Sequence, residues 1–507
     1  MSATDPRTCR NAGAPIVELT FAGPPEPADP TPFSVSFQND DAQVTVPGFW
    51  DGGTCYRVRF DPPRAGRWAW RSSSDEPMLD GASGRLEVAQ PARPGGVEVA
   101  ATFHFAHRDG TPYRPVGTTV YNWLHQAEPL FTATLDAVSA AGFNKLRFLV
   151  FPQAGNHVVH FPELLPFQRD ATGAWDVTRP VIPFFQRLDA AVAALAERGI
   201  QADLLVLNAY DGGRFGLDRL TAEQEATYLR YLVARLSAHP NVWWSLCNEF
   251  DLLDRPWQRW DDLGRLLADL DPHRRPRSIH NWMELFDHNR PWITHASIQN
   301  GFATQELGRA SLYRDVYRKP VVLDEIKYEG DIPERWGRLT ARELVHQFWV
   351  ATVSGCYASH GESFQRPGGS LHVVEGGAFQ GGSPERLRFL RQVLDDLVVP
   401  GLDPIDGWDD PDQVAGVPRR QYLQYLGNRA PAAWTFRLPQ GNKGERLQPG
   451  DVFGVEVIDT WRMTITPVPE RFMLSEVQRN DAHARGSAPV ALPEGESVAL
   501  RITRIAE

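Results

Sequence analysis

Apolar and polar residues alternate with a period of two in the first part of the chain. The alternation covers short segments at residues 17–21, 33–37, 56–60 and 66–71, with turns rich in Pro and Gly between them. A period of two places successive side chains on opposite faces of a strand, so one face of each segment can be buried. Short strands separated by turns predict an antiparallel β-sandwich over residues 1–97.

From residue 98 to residue 400 the pattern changes, and short apolar strands alternate with helical segments. Thr221 with Gln224 matches a capping box at a helix start, and Gly199 is placed to end a helix. The candidate strands lie at residues 113–119, 144–150, 202–207, 242–247, 277–281, 294–299, 320–324 and 356–359. Eight strand–helix units predict an α/β domain, a (β/α)₈ TIM barrel, with a doubly wound open sheet as the alternative. The fifth unit is the weakest, because only about a dozen residues separate its strand from the next.

Residues 401–507 return to β character. Strand patterns recur at residues 422–426, 432–438, 451–458, 462–467 and 497–505. We therefore predict a second small β-sandwich at the end of the chain. Neither a G-x-G-x-x-G motif nor a P-loop occurs, so nothing in the sequence favours a nucleotide-binding fold.

Composition and charge exclude several classes of protein. The chain has 507 residues, a formal charge of −11 and a hydrophobic content of 42%. This balance is ordinary for a globular protein, and the negative charge argues against a nucleic-acid partner. No apolar stretch approaches the roughly 20 residues that cross a bilayer, so no membrane partner is expected. The first residues lack the pattern of a secretory signal, which favours a cytoplasmic location. The sequence is compatible with a homo-oligomer.

The cysteines and histidines do not form a metal-binding pattern. Cys9, Cys55, Cys247 and Cys356 are widely spaced, which is typical of reduced structural thiols. The closely spaced histidine pairs lack an obvious third ligand. We predict neither a metal nor another cofactor.

A barrel of this kind carries its active site at the carboxyl ends of its strands. Glu249 follows the apolar fourth strand, and Glu325 follows the seventh. Each glutamate could instead cap a helix or pair with an arginine. Taken together, they could face each other across the mouth and act as the two carboxyl groups of a retaining glycosidase. Carboxylates, amides and aromatic rings dominate the other strand ends, as a carbohydrate pocket requires. Tryptophans such as Trp123, Trp282 and Trp336 could form a sugar platform, although several of the 16 must belong to the core.

Further candidates end or follow the other strands. Arg147 could orient Glu325 or form a structural ion pair, and Asp211 could bind a sugar hydroxyl or stabilise a turn. Tyr328 could hydrogen-bond the nucleophile or only pack. The remaining substrate-binding candidates are Asn248, Tyr121, Asn122, His280, Gln299, His360 and Glu362.

Two segments resemble the apiosidase-like group of barrel glycoside hydrolases. They are VWWSLCNEFDL at residues 242–252 and VVLDEIKYEG at residues 321–330. The resemblance implies that Glu249 is the acid/base, that Glu325 is the nucleophile and that Asn248 holds the sugar 2-hydroxyl. The first region also resembles the immunoglobulin-like sandwich that often precedes such barrels. Lys327 departs from the small residues expected after the nucleophile, and it is either an exposed loop residue or a contact for an anionic substrate group.

These observations predict a retaining glycoside hydrolase that acts by double displacement. We expect exo action on small glycosides or oligosaccharides, so the predicted partner is a carbohydrate substrate. The main alternative is a non-catalytic carbohydrate-binding protein on the same scaffold. A metal-dependent hydrolase is a second alternative.

Overall fold

The computed structural model contains a parallel barrel between two β-rich regions, which confirms the predicted fold class. None of the described helices is long and apolar enough to cross a membrane. The domain limits drawn at residues 97 and 400 stay predictions. The structure describes residues 16–25, 32–89, 94–155, 157–299, 301–306, 309–399, 401–405, 413–427, 430–441, 444–493 and 497–505.

Antiparallel strands form the N-terminal region. The third strand pairs with the second through residues 43–47 and with the fourth through residues 48–50, so it joins the two layers. Gly48 lies where the strand changes partner, and a Cβ there would overlap the ring of Phe33. The inner faces bury Leu19, Val35 and Trp68. The strands are Val17–Ala22, Phe33–Gln38, Gln43–Trp50, Cys55–Phe60, Gly66–Ser74 and Ser83–Val88.

Eight parallel strands form the barrel. In spatial order the strands run fifth, fourth, third, second, first, eighth, seventh and sixth, and a bridge between His280 and Ser297 joins the two ends. Strands that are covered on both faces read as continuous apolar runs, which is why the sequence located all eight. They are Val116–Thr119, Lys145–Leu149, Gln201–Asn208, Val242–Asn248, Arg277–Ser278, Ala296–Gln299, Val321–Glu325 and Tyr357–His360.

Helices cover the barrel except in the fifth unit. The predicted capping box at Thr221 with Gln224 is present, and a second one begins a later helix at Thr340 with Glu343. The fifth strand is followed by a non-helical loop, and the Lys319 ammonium donates to three of its carbonyl groups at 2.7–2.8 Å. The α-helices are Glu128–Ala140, Ile182–Glu197, Ala222–Leu236, Trp257–Leu270, Gly301–Gln305, Arg309–Tyr317, Ala341–Val353, His372–Glu375 and Ser383–Asp395.

The C-terminal region is again built from β-strands around its own core. Its largest sheet contains the long antiparallel pair Val452–Asp459 and Val498–Arg504. The core includes Phe436, Phe453 and Phe472. The remaining strands are Asp403–Pro404, Gln413–Val417, Gln421–Tyr425, Ala433–Trp434, Arg437–Pro439, Thr464–Pro467, Phe472–Met473, Glu476–Val477, Asp481–His483 and Val490–Ala491.

Short strands outside the barrel complete the secondary structure. One small sheet crosses from the N-terminal region into the barrel, and two pairs belong to barrel loops. These strands are Val97–Ala100, His104–His107, Pro112–Tyr113, Phe167–Arg169, Trp175–Pro180, Glu329–Gly330 and Glu362–Ser363.

The described cysteines are free thiols. Cys247 and Cys356 are buried, and Cys55 is half-buried. Cys9 lies outside the described residues.

Candidate active site

Two glutamates lie at the carboxyl ends of the fourth and seventh barrel strands. Glu249 directly follows its strand, and Glu325 is the last residue of its own. Their relative exposures are 9% and 7%. Glu249 has a left-handed backbone with φ 50°, which is uncommon for a residue with a side chain and recurs at functional sites.

A bulge in the seventh strand turns two consecutive acidic residues into the barrel. Ser297 pairs with Val322, and Gln299 pairs with Glu325, so the seventh strand has one extra residue between these pairs. An extra residue interrupts the alternation of side chains between the two faces of a strand. As a result, both Asp324 and Glu325 contact residues of the barrel interior.

Four polar side chains converge on one oxygen of Glu325. The Tyr121 hydroxyl donates to Oε1 at 2.6 Å, and Asn248 Nδ2 donates to it at 3.3 Å. Arg147 Nη1 and His280 Nε2 each lie 3.4 Å from the same oxygen. Burial alone would raise the pKa of the carboxyl. The hydrogen bond and charge of His280, the charge of Arg147 and the Tyr121 hydrogen bond outweigh it and lower the pKa of Glu325.

Glu249 has the opposite electrostatic environment. Burial has the largest effect and raises the pKa of Glu249, and the negative charge of Glu325 raises it further. Hydrogen bonds from Tyr210 and Gln299 oppose the increase without cancelling it. Glu249 therefore holds its proton at pH values where Glu325 is ionised.

The Asn248 side chain connects the two glutamates. Its Oδ1 accepts from Arg147 Nη2 at 2.6 Å, and its Nδ2 donates to the Tyr210 hydroxyl at 2.7 Å. Because the Tyr210 oxygen accepts this bond, its own proton can be donated to Glu249. Tyr210 is one of the polar residues that follow the third strand in the sequence, but it was not among the predicted substrate-binding residues.

A buried network of charges lies beneath the glutamates. Lys145 Nζ donates to Asp203 Oδ2 at 2.5 Å and to Asp324 Oδ1 at 2.6 Å, and Arg147 Nε lies 3.4 Å from Asp203. The acidic neighbours raise the pKa of Arg147 against the effect of its burial. Lys145 and Asp203 were not among the predicted site residues. A charged residue at an inward-facing position of an otherwise apolar strand is the sequence feature that could have identified them.

Aromatic side chains line the rim. The Tyr328 hydroxyl is 3.3 Å from that of Tyr121, and the Tyr328 ring lies edge-on to Trp336 at 5.8 Å. Trp282 and Trp336 are 47% and 39% exposed, so both are available as platforms. Trp123 is not available for this role, since it is fully buried and its indole donates to the Phe131 carbonyl.

Asn122 and Asp211 hold loops at the barrel mouth. Asn122 exchanges two hydrogen bonds with the backbone of Gln153, at 2.8 and 3.1 Å. Asp211 accepts from the backbone amides of Gly213, Phe215 and Leu217. Both side chains therefore stabilise the conformation of loops through hydrogen bonds to the backbone.

His360 and Glu362 lie apart from the two glutamates in the contacts of the described residues. His360 bonds Thr118 at 3.0 Å and stacks on Phe143, and burial lowers its pKa to about 3. Glu362 accepts from the backbone amides of Gln380 and Gly381 before the last barrel helix. Burial raises the pKa of Glu362 to about 7.

Within the described ranges, no group of three or more His, Cys, Asp and Glu side chains is arranged to hold a metal ion.

Comparison with solved structures identifies the class of protein. The chain is 34% identical to a Bacteroides vulgatus ATCC 8482 protein described as a candidate glycoside hydrolase, with a TM-score of 0.91 over 97% of this chain and 98% of that one. A family 5 glycoside hydrolase from the same organism shares the fold, with a TM-score of 0.59 and 16% identity over 81% of this chain and 93% of that one. A third structure, described only as a glycoside hydrolase, gives a TM-score of 0.57 and 13% identity over 81% and 97%. The fold and these neighbours define a barrel glycoside hydrolase.

The family follows from the sequence itself. The model of the apiosidase-like catalytic domain matches residues 100–362, so the chain belongs to the apiosidase-like family. Two further models, both described as domains of unknown function, match residues 15–75 (DUF5060) and 408–503 (DUF5605). No curated protein matches the chain significantly.

Proposed function

We propose that the protein is a retaining glycoside hydrolase in which Glu325 is the nucleophile and Glu249 is the acid/base. The observation that carries the proposal is that two buried glutamates lie at strand ends of one barrel mouth and that polar side chains, including Arg147, surround Oε1 of Glu325 among the contacts of the described residues. A nucleophile must be ionised, and an acid must hold a proton at the same pH. The pKa of Glu325 is lowered and that of Glu249 is raised, which matches these roles.

In the first step, Glu325 attacks the anomeric carbon. Among the contacts of the described residues, all four polar side chains at Glu325 contact Oε1, so Oε2 is the oxygen that forms the new bond. The bond from the anomeric carbon to the leaving oxygen breaks as Glu249 gives its proton to that oxygen. The products of this step are the free leaving group, a glycosyl ester on Glu325 and an ionised Glu249.

In the second step, Glu249 acts as a base. It takes a proton from water, whose oxygen attacks the anomeric carbon and displaces the Glu325 carboxylate. The hydrogen bonds to Oε1 stabilise the departing carboxylate. The sugar leaves with its original anomeric configuration, and both glutamates regain their starting charges.

The proposed substrates are small glycosides or oligosaccharides, on which we propose exo action. Both glutamates are more than nine-tenths buried. Trp282 and Trp336 supply exposed rings at the rim for sugar stacking.

The test is a screen of wild type and Glu325→Ala on p-nitrophenyl pyranosides and furanosides of both anomers. Release by wild type alone identifies the sugar and supports the nucleophile. ¹H NMR of the first-formed product of that substrate then gives the configuration. Release of the inverted anomer would contradict the double displacement. Natural oligosaccharides that bind but are not cleaved would favour the non-catalytic carbohydrate-binding alternative.

A further inference from the structure

The charge of His280 follows from the positions of the protons in a buried series of hydrogen bonds. Asp324 is the last acceptor in this series. It accepts from Lys145 at 2.6 Å and from Ser359 at 2.8 Å through Oδ1, and from Ser297 at 2.6 Å through Oδ2. Burial alone would raise the pKa of Asp324, but the charges of Lys145 and Arg147 lower it, so this carboxylate is ionised and only accepts.

The position of the Ser297 proton determines which nitrogen of His280 must carry a proton. A serine hydroxyl has one proton, and Ser297 donates it to Asp324. His280 Nδ1 lies 2.9 Å from the same serine oxygen, which must therefore accept, so Nδ1 carries a proton. A neutral His280 would then have a bare Nε2 lone pair.

That lone pair would face a carboxylate. His280 Nε2 is 3.4 Å from Glu325 Oε1, and within the part of the chain that the structure describes it makes no hydrogen bond. Tyr121, Asn248 and Arg147 donate to the same oxygen, which therefore accepts, and the charge of Arg147 favours the ionised form of Glu325. Two unprotonated atoms facing each other in a buried site repel, whereas a proton on Nε2 turns the contact into a charge-assisted hydrogen bond.

The surrounding charges agree with a cationic histidine. With His280 charged, three buried cations face three buried anions. The other titratable groups near the network do not change this balance, since burial lowers the pKa of His288 and His295 to about 3 and raises that of Glu249. A neutral His280 would leave one uncompensated negative charge in the interior. The members are Lys145, Arg147, His280, Asp203, Asp324 and Glu325.

We propose that His280 is a permanent imidazolium that positions Glu325 and keeps it ionised, with Ser297 as the relay that fixes its protons. His280 is a positioning residue, since it acts through the nucleophile. The inference deepens the proposed function and rests on it for its catalytic meaning. The charge state can be tested without activity.

Neutron diffraction at pD 7 is the direct test. We expect deuterons on both nitrogens of His280, one on Ser297 directed at Asp324 and none on Glu325. A single deuteron on His280, or a deuterated Glu325, would overturn the proposal. Because this measurement needs no substrate, it can succeed even if the glycosidase assignment fails.

The pH profile of kcat/KM gives the second test, with a matched pair of serines. Ser297 and Ser359 both donate to Asp324, but only Ser297 contacts His280. We expect Ser297→Ala and His280→Gln to move the acid limb to higher pH, by about one unit for His280→Gln, since loss of the cation raises the pKa of Glu325. Ser359→Ala should leave the acid limb in place. Equal shifts for the two serine variants, or lower rates with no shift for Ser297→Ala and His280→Gln, would contradict the relay.

Discussion

The fourth and seventh strands end in the same residue type and give it opposite properties. At the seventh strand, a bulge places Glu325 where an arginine, a histidine, an amide and a phenol meet one carboxylate oxygen. At the fourth strand, Glu249 has hydrogen bonds from Tyr210 and Gln299, which do not offset its burial and the charge of Glu325. The comparison teaches that the number of donors and the cations near each carboxyl group decide the direction in which its pKa moves, because both glutamates are almost equally buried.

Removal of the proposed nucleophile should have the largest effect. We expect Glu325→Ala to lower kcat on the order of 10⁴-fold, because no covalent intermediate can form. Added azide should restore turnover by attacking the anomeric carbon from the vacated side and should give an inverted glycosyl azide. NMR of the product checks this outcome. Full activity in the variant would remove Glu325 from the mechanism.

Removal of the proposed acid should have an effect that depends on the leaving group. Glu249→Ala should slow glycosides with poor leaving groups by about 10²- to 10⁴-fold, since these need a proton on the departing oxygen. Activated aryl glycosides should keep a fast first step and accumulate the glycosyl-enzyme. A plot of kcat/KM against leaving-group pKa checks this. Equal losses across the series would mean that Glu249 is not the acid.

The sequence was sufficient to predict the barrel and the position of two glutamates at its strand ends. Parallel strands covered on both faces are continuous apolar runs, so their ends are visible, and a carboxylate at such an end stands out. The fifth unit was predicted to be weak for the right reason, since the chain there is too short for a helix.

Which polar side chains lie next to the two glutamates and which stabilise loops could not be predicted in the same way. Asn122 and Asp211 stand at strand ends as Asn248 does, yet they bond to loop backbone whose conformation the sequence does not give. His360 ends its strand beside Phe143, because strand parity decides which face a side chain takes. The pairing of Lys145 with Asp324 needs the register of strands that are 179 residues apart in the chain.

Glutamine substitutions of Glu325 and Glu249 should change the free energy of unfolding in opposite directions. For Glu325, whose pKa is lowered from 4.5, the ionised form stabilises the fold above that pH and the contribution is lost as pH falls. For Glu249, whose pKa is raised from 4.5, stability is lost as pH increases through the folded-state value. At pH 8 we expect Glu325→Gln to lower the free energy of unfolding and Glu249→Gln to raise it, each by about 1 kcal/mol or more. Chemical denaturation at pH 5 and pH 8 measures both, and shifts of the same sign would contradict the assignment.

The smallest expected effect concerns one phenol hydroxyl. The hydrogen bond from Tyr210 favours the ionised form of Glu249 and so lowers its pKa. In Tyr210→Phe that bond is lost, the pKa of Glu249 increases, and the basic limb of the kcat/KM profile should move to higher pH by about half a unit. Tyr228→Phe is the matched control, since its buried hydroxyl donates to the Val206 carbonyl away from the glutamates. A basic limb that stays in place in Tyr210→Phe, or moves equally in both variants, would show that this limb does not report Glu249. The difference between the two strand ends would then have to be explained by burial and by Glu325 alone.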